Sequence, residues 1–410
     1  MSFRTSRARK LWTLLRVRGI RSGIRAAVDL WARDRLSAPP DVLSTYGFVL
    51  AEECPAQLPL PQHGTLKINW IVPAFGQASG GMFNILRAVL VLEQWGHTNR
   101  IYVAQGASTS EAMVTDIARS YFPIKAEVKL LQDQLADSDA LIATSWPTAY
   151  AARSIGNTSG KFYFVQDLEH LFHAPGSLNE FARETYRWGF LGITAGQWIS
   201  DVLQAEFQMK CCSFSFSYDR DSYSPSGPKR LQGTRKRVLF YARPSTERRG
   251  FELGVLALSL VAQAMPDIEF VLVGLRPRSI ELPFPNLMLG ILSPSELGSL
   301  YRSCTVSLVL SFTNLSLLPL ELMASGCAIV SNSGPNVEWL LNENVAQLVQ
   351  ATPRALAGAI LALLRDEELR TRQVAAGIAL AQATDWNEEI RSIEAALYQG
   401  LDDSKVTAHE

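Results

Sequence analysis

The chain has 410 residues, 47% of them apolar and 19% charged, and its 39 lysines and arginines equal its 39 aspartates and glutamates. That balance is globular and excludes a disordered chain or a coiled coil, while zero net charge excludes a globally basic nucleic-acid binder. The length fits two or three domains. The zero is unevenly spread: residues 1–36 hold ten arginines and lysines against two aspartates, a net +8, so the remaining 374 residues carry −8. Five cysteines, Cys54, Cys211, Cys212, Cys304 and Cys327, show no metal-ligand spacing and no paired framework, which fits a reducing compartment. No apolar run reaches the roughly 18 residues that span a bilayer, and the basic N-terminus lacks the apolar core of a secretory signal. A cytoplasmic protein is expected.

In chain order, residues 8–36 place Leu11, Leu14, Leu15, Ile20, Ile24, Ala27, Val28 and Trp31 at helical spacing, with arginines between them. Such a basic amphipathic helix lies either on an anionic membrane surface, making the protein peripheral on the inner face of the cell membrane, or on the acidic body of its own chain. Residues 41–63 are a Pro-rich connector. From Leu66 short β-type runs alternate with helical ones: strands at 66–72, 100–104, 140–144, 161–166 and 190–194, the first followed by a helix from Met82 to Trp95. Residues 217–236, with Pro225, Gly227, Pro228 and Gly233, read as a linker. The alternation then restarts, with strands at 238–241, 268–273, 287–289, 306–310, 328–331 and 346–349, helices at 250–264, 294–303, 317–325 and 353–365, and a helical tail over 366–400. The fold class is α/β: two doubly wound parallel sheets, with ligands expected where two sets of strand C-termini face one cleft.

Four stretches could carry chemistry. The loop after the first strand ends in Gly80 and Gly81, where backbone N–H groups and a helix N-terminus could approach an anion; a mere tight turn reads the same. Its spacing is neither the dinucleotide fingerprint nor a Walker loop. Arg243, Arg248 and Arg249 follow the first strand of the second domain, as a diphosphate clamp or as a solvated turn. Glu321 stands in an apolar helix and needs a partner, either a sugar hydroxyl or a base within the fold. Asp167, Glu169 and His170 end the 161–166 strand and could orient an acceptor hydroxyl or take its proton, or else cap and pack; His173 is a weaker candidate.

These residues carry a resemblance. Arg243 through Gly250, the ELMASG run from Glu321 and Gly334–Glu338 (GPNVE) together resemble a GT-B glycosyltransferase of family 4. The strings FYFVQDLEHLF over 162–172 and TNLSLLPLE over 313–321 resemble WsaF-type rhamnosyltransferases. The likeness covers roughly 66–395. It implies a basic extension and connector over 1–63, an acceptor domain over 64–217, a linker over 218–236 and a donor domain over 237–384. Residues 385–410 would form a helix and tail packing back on the first domain. It implies retaining transfer of a sugar, L-rhamnose from dTDP-L-rhamnose, to a surface polysaccharide or lipid-linked glycan. Gly80, Gly81, Arg243, Arg248 and Arg249 would hold the diphosphate. Gly290 and Ile291 would read the base, and Glu321 the ribose. The first glutamate of the family's Glu-x7-Glu pattern is Thr313 here. Thr313, Asn314, Leu315 and Ser316 would substitute toward the sugar. No cofactor and no metal are expected, the Asp137/Asp139 and Asp219/Asp221 pairs being close to chance. A non-catalytic glycan-binding scaffold is the alternative.

Overall fold

A computed structural model describes residues 41–61, 64–76, 80–104, 110–132, 134–227, 235–275 and 280–407. The helix expected over 8–36 lies outside these residues, as do Gln77, Ala78 and Ser79 of the first loop and residues 228–234. The chain divides into residues 1–51 and 52–410. In the first unit Asp41 caps a short helix, Val42–Tyr46, its carboxylate accepting from the Leu43 and Ser44 amides. A 3-10 turn, Gly47–Leu50, follows, and Val42, Leu43 and Leu50 are exposed.

The second unit holds two all-parallel sheets. The first is built from β1 (Lys67–Val72), β2 (Thr98–Val103), β3 (Glu127–Leu130), β4 (Ser138–Ala143), β5 (Thr158–Val165), β6 (Leu191–Ala195) and β7 (Cys211–Phe214), in the order β3-β2-β1-β4-β5-β6-β7. The second is built from β8 (Arg237–Tyr241), β9 (Glu269–Val273), β10 (Asn286–Met288), β11 (Val306–Val309), β12 (Ala328–Asn332) and β13 (Ala346–Val349), in the order β10-β9-β8-β11-β12-β13. Helices cover both faces, so central strands are buried throughout and read as continuous apolar runs. Within β1 the buried polar donors are used: the Asn69 side chain donates to the Ala136 carbonyl, and the Trp70 indole donates to Asn99. β3 and β7 are absent from the sequence reading. Both are four-residue edge strands with partly exposed side chains, so neither has the apolar run that marks its neighbours.

Three segments tie the body together. Residues 52–61 lie along the first sheet's N-terminal edge, with the Gln57 and Leu58 amides donating to the Gly156 and Thr158 carbonyls. Lys161 donates from Nζ to the Cys54 and Arg153 carbonyls, and burial pulls its amine down to about 8. The crossover between the lobes is anchored by two tyrosines within the span whose composition reads as a linker. Tyr218 and Tyr223 are buried, and Tyr223 stacks on Tyr301 with centroids 5.9 Å apart. A Cβ on Gly298 would stand 2.0 Å from the Ser222 carbonyl oxygen, so glycine is required for that close approach. The return crossing is pinned to the first: Arg220 donates to the Gln382 and Thr384 carbonyls at 3.1 and 2.6 Å, and Thr384 donates to the Ser217 hydroxyl. The last helix, Trp386–Thr407, then packs on β5, β6, β7 and the Gly80–Gln94 helix of the first lobe. All five cysteines are free thiols, and no helix among the described residues is long and apolar enough to cross a membrane.

Candidate functional site

In both sheets the strand order reverses beside the first strand, β1 against β4 and β8 against β11, which is where doubly wound folds leave a crevice at the strand C-termini. In the second lobe two loops meet there. After β8 comes Arg243, then a one-turn 3-10 helix, Glu247–Arg249, ended by Gly250 at φ +57°. After β11 comes Ser311–Leu317, leading into the Leu318–Ala324 helix that carries Glu321. The loops are stitched: the Phe312 amide donates to the Arg248 carbonyl, and Arg249 Nη1 donates to Ser311 Oγ at 2.6 Å and to the Asn314 carbonyl at 3.0 Å. The Asn332 side chain joins this knot, accepting from the Ser311 amide and donating to its carbonyl.

The arginines occupy three environments. Arg243 is exposed and lies over the Tyr241 ring. Arg248 stacks on Phe172 of the first lobe, 3.8 Å from the ring centroid, with Nε 3.6 Å from Asp167. Arg249 is desolvated, which lowers its pKa to about 10 against the opposing pull of Asp167. Such a cation binds a diphosphate oxygen in a low-dielectric setting, where the interaction is stronger than in water.

The first lobe meets these loops at the ends of β5 and β6. Asp167 is buried; Oδ2 accepts from the Thr313 hydroxyl at 2.8 Å, and Oδ1 accepts from the Asn314 amide at 2.9 Å and the Leu168 amide at 2.9 Å. Burial raises its pKa, opposed by Arg249, these hydrogen bonds and Arg248. Asn314, fully buried, donates from Nδ2 to the carbonyls of Gln166 and Ala195 at 3.0 and 2.7 Å and accepts from the Trp339 indole. Gln166 continues the chain of contacts. Its Nε2 donates to the Gly81 carbonyl and its Oε1 accepts from Asn84. Gly81, Gln166, Asn314 and Arg249 thus form one hydrogen-bonded chain, and a Cβ on Gly81 would press on Gln166 at 3.2 Å.

Not every candidate reaches this junction. Glu169 is half-buried behind it: its carboxylate accepts from the Trp146 amide at the start of the Trp146–Arg153 helix and from the Tyr163 hydroxyl, and desolvation raises it to about 7. His170 packs edge-on against Tyr186 and Phe207, its Nδ1 has no partner among the described residues, and burial with Arg183 nearby lowers it to about 4. His173 lies edge-on to Trp146. Gly290, at φ +75°, accepts through its carbonyl from the Gly274 amide at the ends of β9 and β10, and Ile291 beside it is 73% exposed. Leu315 is buried in the core, whereas Ser316 is exposed and accepts from the Leu318 amide.

Glu321 has a partner that is neither a sugar nor a base. The Tyr223 phenol hydrogen-bonds its carboxyl from the crossover, and burial raises that carboxyl to about 7. Gln166 and Asn336, which donates to the Ser311 and Thr313 carbonyls, lie within the quoted strings without a role assigned there, and Tyr223 and Trp339 lie outside them. Tyr223 was hidden in a stretch that composition read as linker, and Trp339 lies one residue beyond the quoted Gly334–Glu338 run. The acidic pairs have local jobs: Asp139 accepts from the Lys67 amide, and Asp219 from the Asp221 amide and Ser222 hydroxyl.

Known proteins are similar to this chain. Residues 236–361 match the family described as WsaF, C-terminal domain. The O-antigen biosynthesis protein RfbC of Myxococcus xanthus is 32% identical over 335 residues, 78% of this chain and 26% of that protein. Phosphatidyl-myo-inositol mannosyltransferase of Mycobacterium tuberculosis is 28% identical over 202 residues, 46% of this chain and 51% of the enzyme. The chain thus spans about a quarter of the one relative and about half of the other. Among solved structures, Anabaena Alr3699/HepE in complex with UDP and glucose superposes with a TM-score of 0.61 at 15% identity, over 81% of this chain and 99% of that one. The chain therefore has the GT-B glycosyltransferase fold, and its second lobe, over residues 236–361, is similar to the WsaF C-terminal domain.

Proposed function

We propose that the chain is a glycosyltransferase that moves a sugar from a nucleoside diphosphate to a surface polysaccharide or lipid-linked glycan. The observation that carries this is the junction itself: a desolvated Arg249 with Arg243 and Arg248 on the loop after β8, the Ser311–Leu317 loop that leads into the helix of Glu321, and Gly81 joined to the first lobe's strand end by Gln166, all at strand ends where a GT-B fold takes its nucleotide. Departure of a diphosphate develops negative charge, and preorganised guanidinium groups stabilise it without reorganising. Arg249, fixed by Ser311 and Asn314, is best placed for that part, with Arg243 and Arg248 flanking it. Glu321 would accept from ribose hydroxyls, and the Gly290–Ile291 edge would meet the base. No metal is part of this reading.

We assign the donor as dTDP-L-rhamnose and the transfer as retaining, on the WsaF match and the two sequence strings. In a retaining front-face transfer the departing phosphate takes the acceptor proton, consistent with Asp167 already accepting from three donors. The basic head over 1–36 would hold the protein to an anionic cytoplasmic membrane face. A thermal-shift panel of dTDP, UDP, GDP and ADP is expected to favour dTDP, and no preference would overturn the rhamnose assignment. Product analysis with dTDP-L-rhamnose and rhamnan acceptors tests transfer. A non-catalytic glycan-binding role is the second reading, favoured by Thr313 at a position where the resemblance expects glutamate. Turnover that is lost in Arg249→Ala would eliminate it.

A further inference from the structure

The described contacts between the first lobe's strand ends and the Ser311–Leu317 loop converge on two adjacent residues. Thr313 and Asn314 give Asp167 a hydroxyl and a backbone N–H, while the Asn314 amide reaches Gln166 and Ala195. All of these groups are buried except Gln166, which is half-buried. The other side of the same residues holds the clamp: Arg249 donates to the Asn314 carbonyl, and Asn336 donates to the Thr313 carbonyl at 2.7 Å. Arg248 is held from the first lobe by Phe172 and Asp167. The carboxylate of Asp167 thus has both oxygens engaged, Oδ1 by two N–H groups and Oδ2 by the Thr313 hydroxyl with Arg248 beside it, so three of its roughly four acceptor sites are taken within the protein.

We propose that Asp167 is a positioning residue, a latch from the first lobe that seats Thr313 and Asn314 and through them sets Arg248 and Arg249 for the diphosphate. It acts through the arginines and does not touch the reacting atoms. A carboxylate suits the task because charge-assisted hydrogen bonds are stronger than neutral ones, and because buried N–H and O–H groups left without it would be costly. The charged groups facing it are Arg248 and Arg249 from the second lobe and Glu169 from its own loop. Its consequence for donor binding rests on the reading proposed above, but the latch is measurable without any nucleotide.

The test uses the full chain in three variants, Asp167→Ala, Asp167→Asn and Thr313→Val, the last removing a single hydroxyl where the first fails to fold. Hydrogen–deuterium exchange of the 311–317 loop amides is expected to quicken about tenfold or more in Asp167→Ala, and less in Thr313→Val. Affinity for dTDP is expected to fall about tenfold in step with it. In turnover of dTDP-L-rhamnose, Asp167→Asn is expected to raise the donor KM and to leave kcat within about threefold. Unchanged exchange in Asp167→Ala and Thr313→Val overturns the latch. Faster exchange with unchanged dTDP affinity overturns its link to the arginines. A collapse of kcat in Asp167→Asn with exchange and affinity unchanged would make the residue a general base instead. If the wild-type chain binds no nucleotide, the donor-site reading fails, and the exchange measurement alone decides the latch.

Discussion

A carboxyl buried beside a phenol keeps its proton to higher pH than one in water, and Glu321 is such a group, raised to about 7 from an ordinary 4.5. The folded chain therefore binds this proton more tightly than the unfolded chain. The stabilising contribution is fully present below about 4.5 and is lost as pH rises through about 7, a difference on the order of 3 kcal/mol. Replacing the acid by Glu321→Gln is expected to raise the melting temperature relative to wild type at pH 8, with the gap closing at pH 5, while weakening dTDP binding. Tyr223→Phe removes the hydrogen bond that lowers this carboxyl, so the pH dependence of nucleotide affinity should move to higher pH, at a stability cost of about 1 kcal/mol. Titration calorimetry across pH reads that shift. The arginines differ in the same manner: Arg243 is exposed and screened by salt, while Arg249 is desolvated. Salt dependence of dTDP affinity should therefore flatten in Arg243→Ala and persist in Arg249→Ala. These residue types were legible, because arginines at a strand-to-helix turn and an acid in an apolar helix are local patterns. Their partners were not: Asp167 and Thr313 meet across 146 positions, and Asn314 and Ala195 across 119.

At the scale of elements, the central strands announce themselves because burial on both faces demands apolar runs, and the edge strands β3 and β7 do not. The crossover is the element whose anchors composition does not reveal. Proline, glycine and serine mark its turns, but Tyr218 and Tyr223 anchor it, and Gly298 admits the Ser222 carbonyl where a methyl group would collide. Gly298→Ala is accordingly expected to destabilise the fold by roughly 1–3 kcal/mol, visible as a lower melting temperature, and to disturb Glu321 through Tyr223. The 3-10 turn Glu247–Arg249 depends on Gly250, whose positive φ aims the next helix away and whose missing Cβ leaves room for Phe312 at 2.9 Å. That turn lets Arg248 reach the first lobe while Arg249 reaches its own.

Across the whole molecule, the last helix crosses back to complete the first lobe: a Cβ on Gly400 would stand 2.5 Å from Phe162, and Tyr398 donates to the Gly64 carbonyl. Removing residues 386–410 would uncover apolar surface over β5, β6 and β7, so the truncated chain should be cleaved faster in the first lobe by limited proteolysis than the intact one. The molecule's charge has a related division. The −8 body still gathers three arginines at one crevice, so net balance says nothing of local sign, and the +8 lies in 1–36. By itself the sequence determined two doubly wound lobes, the residue types at their strand ends and the absence of a first glutamate at Thr313. Periodicity, glycine placement and charge are local, and local interactions set helices, strands and turns. The tertiary structure alone decided that Asp167 meets Thr313 and Asn314, that Glu169 meets Trp146 and Tyr163 while His170 lies against Tyr186 and Phe207, and that Glu321 meets Tyr223. A buried polar group takes whichever donor or acceptor the fold brings to it, and no spacing along the chain reveals that partner.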